Sequence, residues 1–333
     1  MSEKYVIGVD LGGTKIATIL CDSRCSILSR VKTETGSAEG EQRVLQRIKE
    51  SIYQVAELSG IPLSRISGIG ISSPGPLSVS RGVVIYVASL GWNNVPIRQL
   101  MQDEFKVPVY LENDCNAAAY GEKWLGVGRG YDNLIYITVS TSIGSGIIID
   151  RKIYHGKHDA AGEFGHICIE YEGRKCSCGN RGCLQAYASG TAIAQIAREN
   201  ISGNTRSKVL DFAGNDANNI DCIAVEKAAY EGDEYAKGIW NLAGNKLGHG
   251  ISILMQLADP DIVVIGGGVS KAWELFYKPM VNMIKKQTYK LISDNMVIVP
   301  AQLGDDVGVL GAAMIVLKEQ GLQETEFLQL KIS

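Results

Sequence analysis

A chain of 333 residues is too long for one comfortable hydrophobic core, and its length predicts two domains. Lys and Arg number 33 against 36 Asp and Glu, a net charge of -3 with no basic block, which argues against a nucleic-acid or membrane surface as the main partner. With 45% hydrophobic and 21% charged residues the composition is that of a soluble globular enzyme, and 38 glycines fit a fold with many tight turns near a ligand.

The amino terminus, Met-Ser-Glu-Lys and then the strand-like run Tyr5-Val-Ile-Gly-Val9, shows no secretory leader. No run approaches the ~18 apolar residues of a membrane span. Of the eight cysteines, Cys21, Cys25, Cys115, Cys168 and Cys222 are scattered among apolar or small neighbours, as expected in a reducing compartment. The expected location is the cytoplasm.

From Val6 to Asp22 two apolar runs flank Asp10-Leu-Gly-Gly-Thr-Lys15, which reads as strand, glycine turn and strand. A dinucleotide-binding turn would lead into a helix instead. Val44, Ile48, Ile52 and Val55 recur at helical spacing and predict a helix over 41–59, stopped by Gly60 and Pro62. A strand over 66–71, the loop Ser73-Pro-Gly-Pro76, a helix over 97–105 and a strand over 107–111 complete an alternating α/β unit. Glu112-Asn113-Asp114 then ends that strand just before the small-residue run Cys115-Asn-Ala-Ala-Ala-Tyr-Gly121. Asp114 suits a helix cap, and a strand-end acid also points into the crevice where α/β proteins bind ligands. On this motif alone the cap is the stronger reading.

A second unit repeats the grammar: strand Leu134–Val139, the polar glycine turn Ser140-Thr-Ser-Ile-Gly-Ser-Gly146, and a strand over 147–150. Two glycine hairpins opening two halves suggest an internal duplication. Helical patterns follow the cysteine segment to about Leu257, interrupted by a polar surface excursion over 203–219. A buried strand over 262–265 runs into Gly266-Gly-Gly268, and a strand over 296–299 and a helix from about Val307 close the chain.

Asp10-Leu-Gly-Gly-Thr-Lys15 puts bare backbone beside an acid, a hydroxyl and an amine, a combination able to wrap phosphate oxygens and hold a metal-bound water. Alone it is equally a hairpin turn that needs glycine. With the second hairpin and Gly266-Gly-Gly268 it makes three loops able to converge on one nucleotide. Between Ala160 and Leu184 stand Glu163-Phe-Gly-His166 and Cys176-Ser-Cys178-Gly-Asn-Arg-Gly-Cys183, the ligand set of a closed tetrahedral zinc site that would fix Glu163 and Gln185 in space. Such a zinc is a strut and touches no reacting atom. His155, His158 and His249 lack such company and read as surface or packing residues.

These residues together resemble the ROK family of sugar kinases, of the actin-like and hexokinase-like superfamily, from Val6 to about Met314. The resemblance implies an α/β, two-domain actin-like ATPase fold, a ribonuclease H-like duplication with an interdomain cleft and a structural zinc loop. It implies a smaller domain over 1–116, joined by the carboxy-terminal helix at about 313–333, and a larger domain over 117–312. Carried over residue by residue, Asp10, Gly12, Gly13, Thr14 and Lys15 would form the first phosphate loop. Thr141 and Gly144 would belong to the second, and Gly267 and Gly268 would lie near the adenosine. Gly75, Asn113, Asp114, Glu163, His166 and Gln185 would hold the sugar, with Asp114 removing the proton from the attacking hydroxyl. His166 would complete a zinc site with Cys176, Cys178 and Cys183.

The implied activity is phosphorylation of a hexose by ATP with Mg2+ and a structural Zn2+, most like a glucokinase acting on the 6-hydroxyl. N-acetylmannosamine, fructose or allose kinases of the same family, and a non-catalytic sugar sensor, are the alternatives. A homodimer or homotetramer is implied, and no nucleic-acid or membrane partner. Family repressors carry an added amino-terminal helix-turn-helix domain, which is not expected here. The chain departs from the family pattern in three places: Gln185 stands where Glu is usual, Ser89-Leu-Gly-Trp92 replaces Asn-Leu-Gly-Trp, and Ser140-Thr-Ser142 replaces Gly-Thr-Gly.

Overall fold

The opening apolar runs pair as a hairpin in the computed structural model, which describes residues 4–201 and 207–321. In chain order the first part holds β1 (Tyr5–Leu11), β2 (Lys15–Asp22), β3 (Ile27–Glu34), α1 (Glu41–Ser59), β4 (Ile66–Ser73), β5 (Leu77–Ser78), β6 (Val83–Val87), β7 (Trp92–Val95), α2 (Ile97–Phe105), β8 (Val109–Asn113) and α3 (Asp114–Trp124). Then come β9 (Leu134–Val139), β10 (Ile143–Ile149), β11 (Lys152–Ile153), α4 (Gln185–Ala188), α5 (Gly190–Asn200), α6 (Lys208–Phe212), α7 (Cys222–Tyr230) and α8 (Glu234–Ala258). The chain continues through β12 (Ile262–Gly266), α9 (Trp273–Gln287), α10 (Lys290–Asn295), β13 (Ile298–Pro300) and α11 (Val307–Glu319).

Two mixed five-stranded sheets run β3-β2-β1-β4-β8 and β11-β10-β9-β12-β13, and β5, β6 and β7 form a small antiparallel sheet. The chain divides into two compact units, one of Met1–Tyr136, Gly146–Ala161 and Ala301–Ser333, the other of Ile137–Ser145 and Gly162–Pro300. Among the described residues no helix is long and apolar enough to cross a membrane.

In the first unit β1 and β4 pair in parallel, as do β4 and β8. Parallel strands are covered on both faces and therefore read as continuous apolar runs, and β1 and β4 are buried along nearly their whole length. The cover on one face is α11, which comes very close to the sheet: a Cβ on Gly8 would stand 2.2 Å from Val309 O and one on Gly70 2.0 Å from Ala312 O. The same helix meets α3 through Gly311, where a Cβ would lie 1.9 Å from Ala117 O. Only glycine admits these approaches.

Several elements differ from the sequence reading. The strand expected at 107–111 lies two residues further on, so that Asn113 is its last residue. The second hairpin turn is only Ser140–Ser142, because β10 already begins at Ile143. Gly144 therefore sits within the strand and not in the turn. Gly146 is a glycine for packing: a Cβ there would meet Cys115 O at 2.3 Å. The excursion expected over 203–219 contains α6 and a short 3-10 turn at Ala217–Asn219, while 202–206 fall outside the described residues. Of the carboxy-terminal helix expected at 313–333, residues 322–333 lie outside them as well.

Candidate active site

In the first unit the carboxyl ends of three neighbouring parallel strands carry the predicted acids. Asp10 on β1 pairs with Ser72 on β4, Ser72 with Glu112 on β8, and Ser73 with Asn113. Strand ends of an α/β sheet are where ligands bind, because loops and helix amino termini meet there. Ser72 Oγ donates to Asp10 Oδ1 at 2.5 Å. Burial pushes the Asp10 carboxyl up, opposed by that hydrogen bond and by the charge of Lys32. Gly308, in the first turn of α11, is bare against it: a Cβ there would stand 2.7 Å from Asp10 Cγ.

The turn after Asp10 is held from below. Gly12 N donates to Lys15 O at 2.9 Å, and the fully buried Thr35 donates its Oγ1 to Gly12 O at 2.7 Å and its N to Thr14 O at 2.9 Å. Thr14 and Lys15 are exposed. The departure at Ser89 lies here too, since its Oγ would be 3.2 Å from a Cβ on Gly13. Thr35 was not singled out from sequence, and no motif signals it.

Asn113, not Asp114, is the cap of α3. Its Oδ1 accepts from Cys115 N at 2.9 Å and Asn116 N at 3.3 Å, which satisfies two of the four open donors of the helix start. The cap needs β-region backbone, which the end of a strand supplies; Asp114 is already the first helical residue. With Oδ1 engaged, the Asn113 amide nitrogen is its remaining polar atom, and it lies 3.6 Å from where a Cβ on Gly75 would stand. Asp114 is half-buried, and its Oδ1 accepts from Cys115 N at 2.8 Å. A carboxylate in the first turn is favoured by the helix dipole.

His155, which the sequence reading assigns to surface or packing, pairs with Glu112. Its Nε2 donates to Glu112 Oε2 at 2.7 Å, and Glu112 is only 3% exposed. The Glu112 hydrogen bond pushes the imidazole pKa up against the opposing effect of burial, and the charges of Glu112 and Asp159 add to the rise.

In the second unit Thr141 and Gly268 line a cavity of about 780 Å³, together with Gly190, Thr191 and Lys271, while Gly267 is not part of its wall. The loop is fixed on the start of α5: Gly190 N donates to Ser140 O at 2.7 Å and Thr191 Oγ1 to Thr141 O at 2.8 Å. Gly267 has φ 88° and would drive a Cβ to 2.4 Å from Val139 O, so the position requires glycine. The cavity is of the size that takes a small-molecule ligand.

The same unit gathers His166, Cys176, Cys178 and Cys183, whose donor atoms all lie within 4.8 Å of one another. Cys176 Sγ is 3.8 Å from His166 Nδ1, and Cys178 Sγ is 3.7 Å from Cys183 Sγ. A tetrahedron with zinc–sulfur bonds of about 2.3 Å has edges of about 3.8 Å. The knuckle folds because Gly179 and Gly182 take φ 95° and 74° and because Cys176 N donates to Asn180 O at 2.8 Å. Burial pushes the Cys183 thiol up to about 12, with Cys176 and Cys178 adding to the rise. Cys176 is held at about 6: burial opposes ionisation, but hydrogen bonds from Cys178, Gln185 and His166 outweigh it.

Gln185 is turned onto this cluster, its Nε2 donating to Cys176 Sγ at 3.3 Å and to Ser177 Oγ at 3.2 Å. A glutamate at that position has no such donors. Glu163 is exposed and precedes the short turn that carries His166.

The ROK family model matches residues 6–319. A glucokinase of Thermotoga maritima is 34% identical over 322 residues, covering 96% of this chain and 100% of that protein. A xylose repressor of Caldicellulosiruptor bescii is 31% identical over 317 residues, covering 94% of this chain and 78% of the repressor. Among solved structures, a ROK family glucokinase of Streptomyces griseus in complex with glucose and AMPPNP superposes with a TM-score of 0.81 at 32% identity, covering 95% of this chain and 100% of the other.

Proposed function

This chain belongs to the ROK family, and from that premise we propose that it is an ATP-dependent hexose kinase that phosphorylates glucose at the 6-hydroxyl. The observation that carries the reading is the first turn of α3, where Asn113 Oδ1 caps the helix by accepting from Cys115 N and Asn116 N and Asp114 follows directly on the end of a parallel strand. Phosphoryl transfer asks little covalent chemistry of the protein; it asks for positioning, charge neutralisation and a base.

Each residue has a part in that scheme. Asn113 binds the acceptor hydroxyl, and Asp114 takes its proton as the sugar oxygen forms a bond to the γ-phosphorus and the bond to the ADP oxygen breaks. Gly75, Glu163, His166 and Gln185 hold the other hydroxyls. Backbone amides of the Gly12–Lys15 turn and of the Thr141 loop with Gly144 bind phosphate oxygens, while Gly267 and Gly268 border the adenosine. Asp10, a buried carboxylate beside the bare Gly308 backbone, fits a Mg2+ ion and its water shell, which supplies neutralisation of the developing phosphate charge when bound. His166, Cys176, Cys178 and Cys183 hold a structural Zn2+, for which their near-tetrahedral spacing is support.

An ADP-release assay with MgATP and a panel of glucose, mannose, fructose, allose, N-acetylglucosamine and N-acetylmannosamine tests the reading. Strong turnover with glucose alone supports it; turnover with another sugar reassigns the substrate. The second reading, a non-catalytic sugar sensor, draws on the xylose-repressor relative and on Gln185 and Ser142. A flat panel with sugar binding still detectable by calorimetry favours it. A cytoplasmic location and a homodimer or homotetramer complete the proposal, the latter checked by light scattering.

A further inference from the structure

We propose that Glu112 and His155 are positioning residues for the phosphoryl acceptor, tying the strand end that carries Asn113 and Asp114 to the segment that runs into Glu163. The inference rests on the kinase reading above.

Glu112 is buried and every hydrogen bond it accepts constrains this region. Its Oε1 takes the N–H of Asn113 at 2.9 Å and Nδ2 of Asn116 at 3.0 Å, and its Oε2 takes Nε2 of His155 at 2.7 Å. One carboxylate thus fixes the backbone at the helix cap and a side chain in the first turn of α3. A carboxylate stripped of water must be satisfied, so the arrangement moves as a unit.

His155 is the other end of the tie. It follows β11, eight residues before Glu163 in the chain. Its carbonyl accepts from Ala161 N at 3.1 Å, so the 155–161 loop closes on itself, and Asp159 Oδ2 accepts from Val79 N at 3.0 Å as a second anchor. Loss of the His155 contact would leave Glu112 partly unsatisfied and free the loop at one of its two fixed points. Displacing a reacting group by about 1 Å costs on the order of 100-fold in rate.

The groups facing His155 are Glu112 and Asp159, with Lys152, Arg98, Lys318 and Glu319 on the wall of the same cavity. The Glu112 hydrogen bond favours the protonated imidazole. As pH rises through the folded-state pKa of His155, the pair keeps an N–H donor but loses its positive charge. Sugar turnover should therefore carry an alkaline limb that belongs to this residue.

The test compares wild type, His155→Ala and His155→Gln in steady-state kinetics, varying glucose and MgATP separately across about pH 6 to 9. His155→Ala is expected to lower kcat/KM for the sugar by roughly 10- to 100-fold while leaving KM for ATP unchanged. His155→Gln, which keeps a donor without a titratable charge, is expected to exceed His155→Ala, to stay across the whole range near the level wild type reaches at alkaline pH, and so to lack the alkaline limb. A variant with a lowered melting temperature but the wild-type sugar kcat/KM and pH profile would show a merely structural pair. Should His155→Ala fail to fold, a wild-type pH profile in His155→Gln overturns the proposal by itself. Wild-type protein that turns over no sugar overturns the kinase reading and this inference with it, which separates the two failures.

Discussion

Removing one thiol from the cysteine cluster isolates what a metal would contribute, because Cys178 is exposed. In Cys178→Ser the core is untouched, while the cluster loses one of four donors. Two separations, 3.7 and 3.8 Å, are close to the edge of a zinc–thiolate tetrahedron and all four donors lie within 4.8 Å of one another, so the knuckle is already gathered for binding. Structural zinc sites of this type bind with about 10–16 kcal/mol near neutral pH. Stabilisation through linkage reaches about 4 kcal/mol once free metal is a thousandfold above its dissociation constant. The assay is elemental analysis followed by thermal melts of both proteins with and without a strong chelator. Wild type should hold about one zinc per chain and lose stability on chelation, while Cys178→Ser should hold little and melt like the chelated wild type. Wild-type protein well below one equivalent whose melt ignores the chelator would refute the strut, as would a Cys178→Ser protein that retains full zinc.

Asp114→Asn keeps the volume and the amide-sized hydrogen bonding but removes the carboxylate proposed as the base, so turnover should fall by about 10²–10⁴-fold or more while calorimetry still detects sugar binding. Gly311→Ala forces a Cβ to within 1.9 Å of Ala117 O, backbone that cannot step aside; denaturant melts should show a loss of about 1–3 kcal/mol or more. The raised pKa of His155 gives stability that is fully present below the unfolded imidazole value and is lost as pH rises through the folded one. Melts of wild type and His155→Gln should therefore converge on the alkaline side and diverge near pH 6; parallel curves would remove the pair from the pH dependence. In Gln185→Glu the two donors to Cys176 Sγ and Ser177 Oγ disappear and a negative charge faces a thiolate, so zinc should leave faster in a chelator competition than from wild type.

How far the sequence speaks depends on whether a signal is local. The β1 hairpin and α1 were legible because their apolar residues repeat over many positions, and α11 because its apolar run is long. β3 was not, since its residues alternate between half-buried and exposed and include Arg30, Lys32 and Glu34, so it carries no apolar period. The sheet of β5, β6 and β7 has strands of two, five and four residues, too few to show a repeat. Glycines misled in one place: Gly146 looks like part of a turn and is instead a contact with α3. His155 was passed over because its meaning lies in Glu112, forty-three residues away in the chain. The cysteine cluster is the opposite case, since three of its four donors fall within eight residues and their spacing alone predicts a knuckle.

In each unit taken by itself, helix ends shape the charge environment around the candidate residues. Asp114 occupies the first turn of α3, the Thr141 loop is bonded to the first turn of α5, and Asp10 lies against the first turn of α11 at Gly308. Each is an amino terminus whose open N–H groups and dipole favour negative charge. For Asp10 and Asp114 such a helix start is a favourable place for negative charge. Under the kinase proposal the start of α5 beside the Thr141 loop is where phosphate would bind. The glycines at 190 and 308 follow from the same requirement, because a helix end serves an anion only if its backbone can be approached.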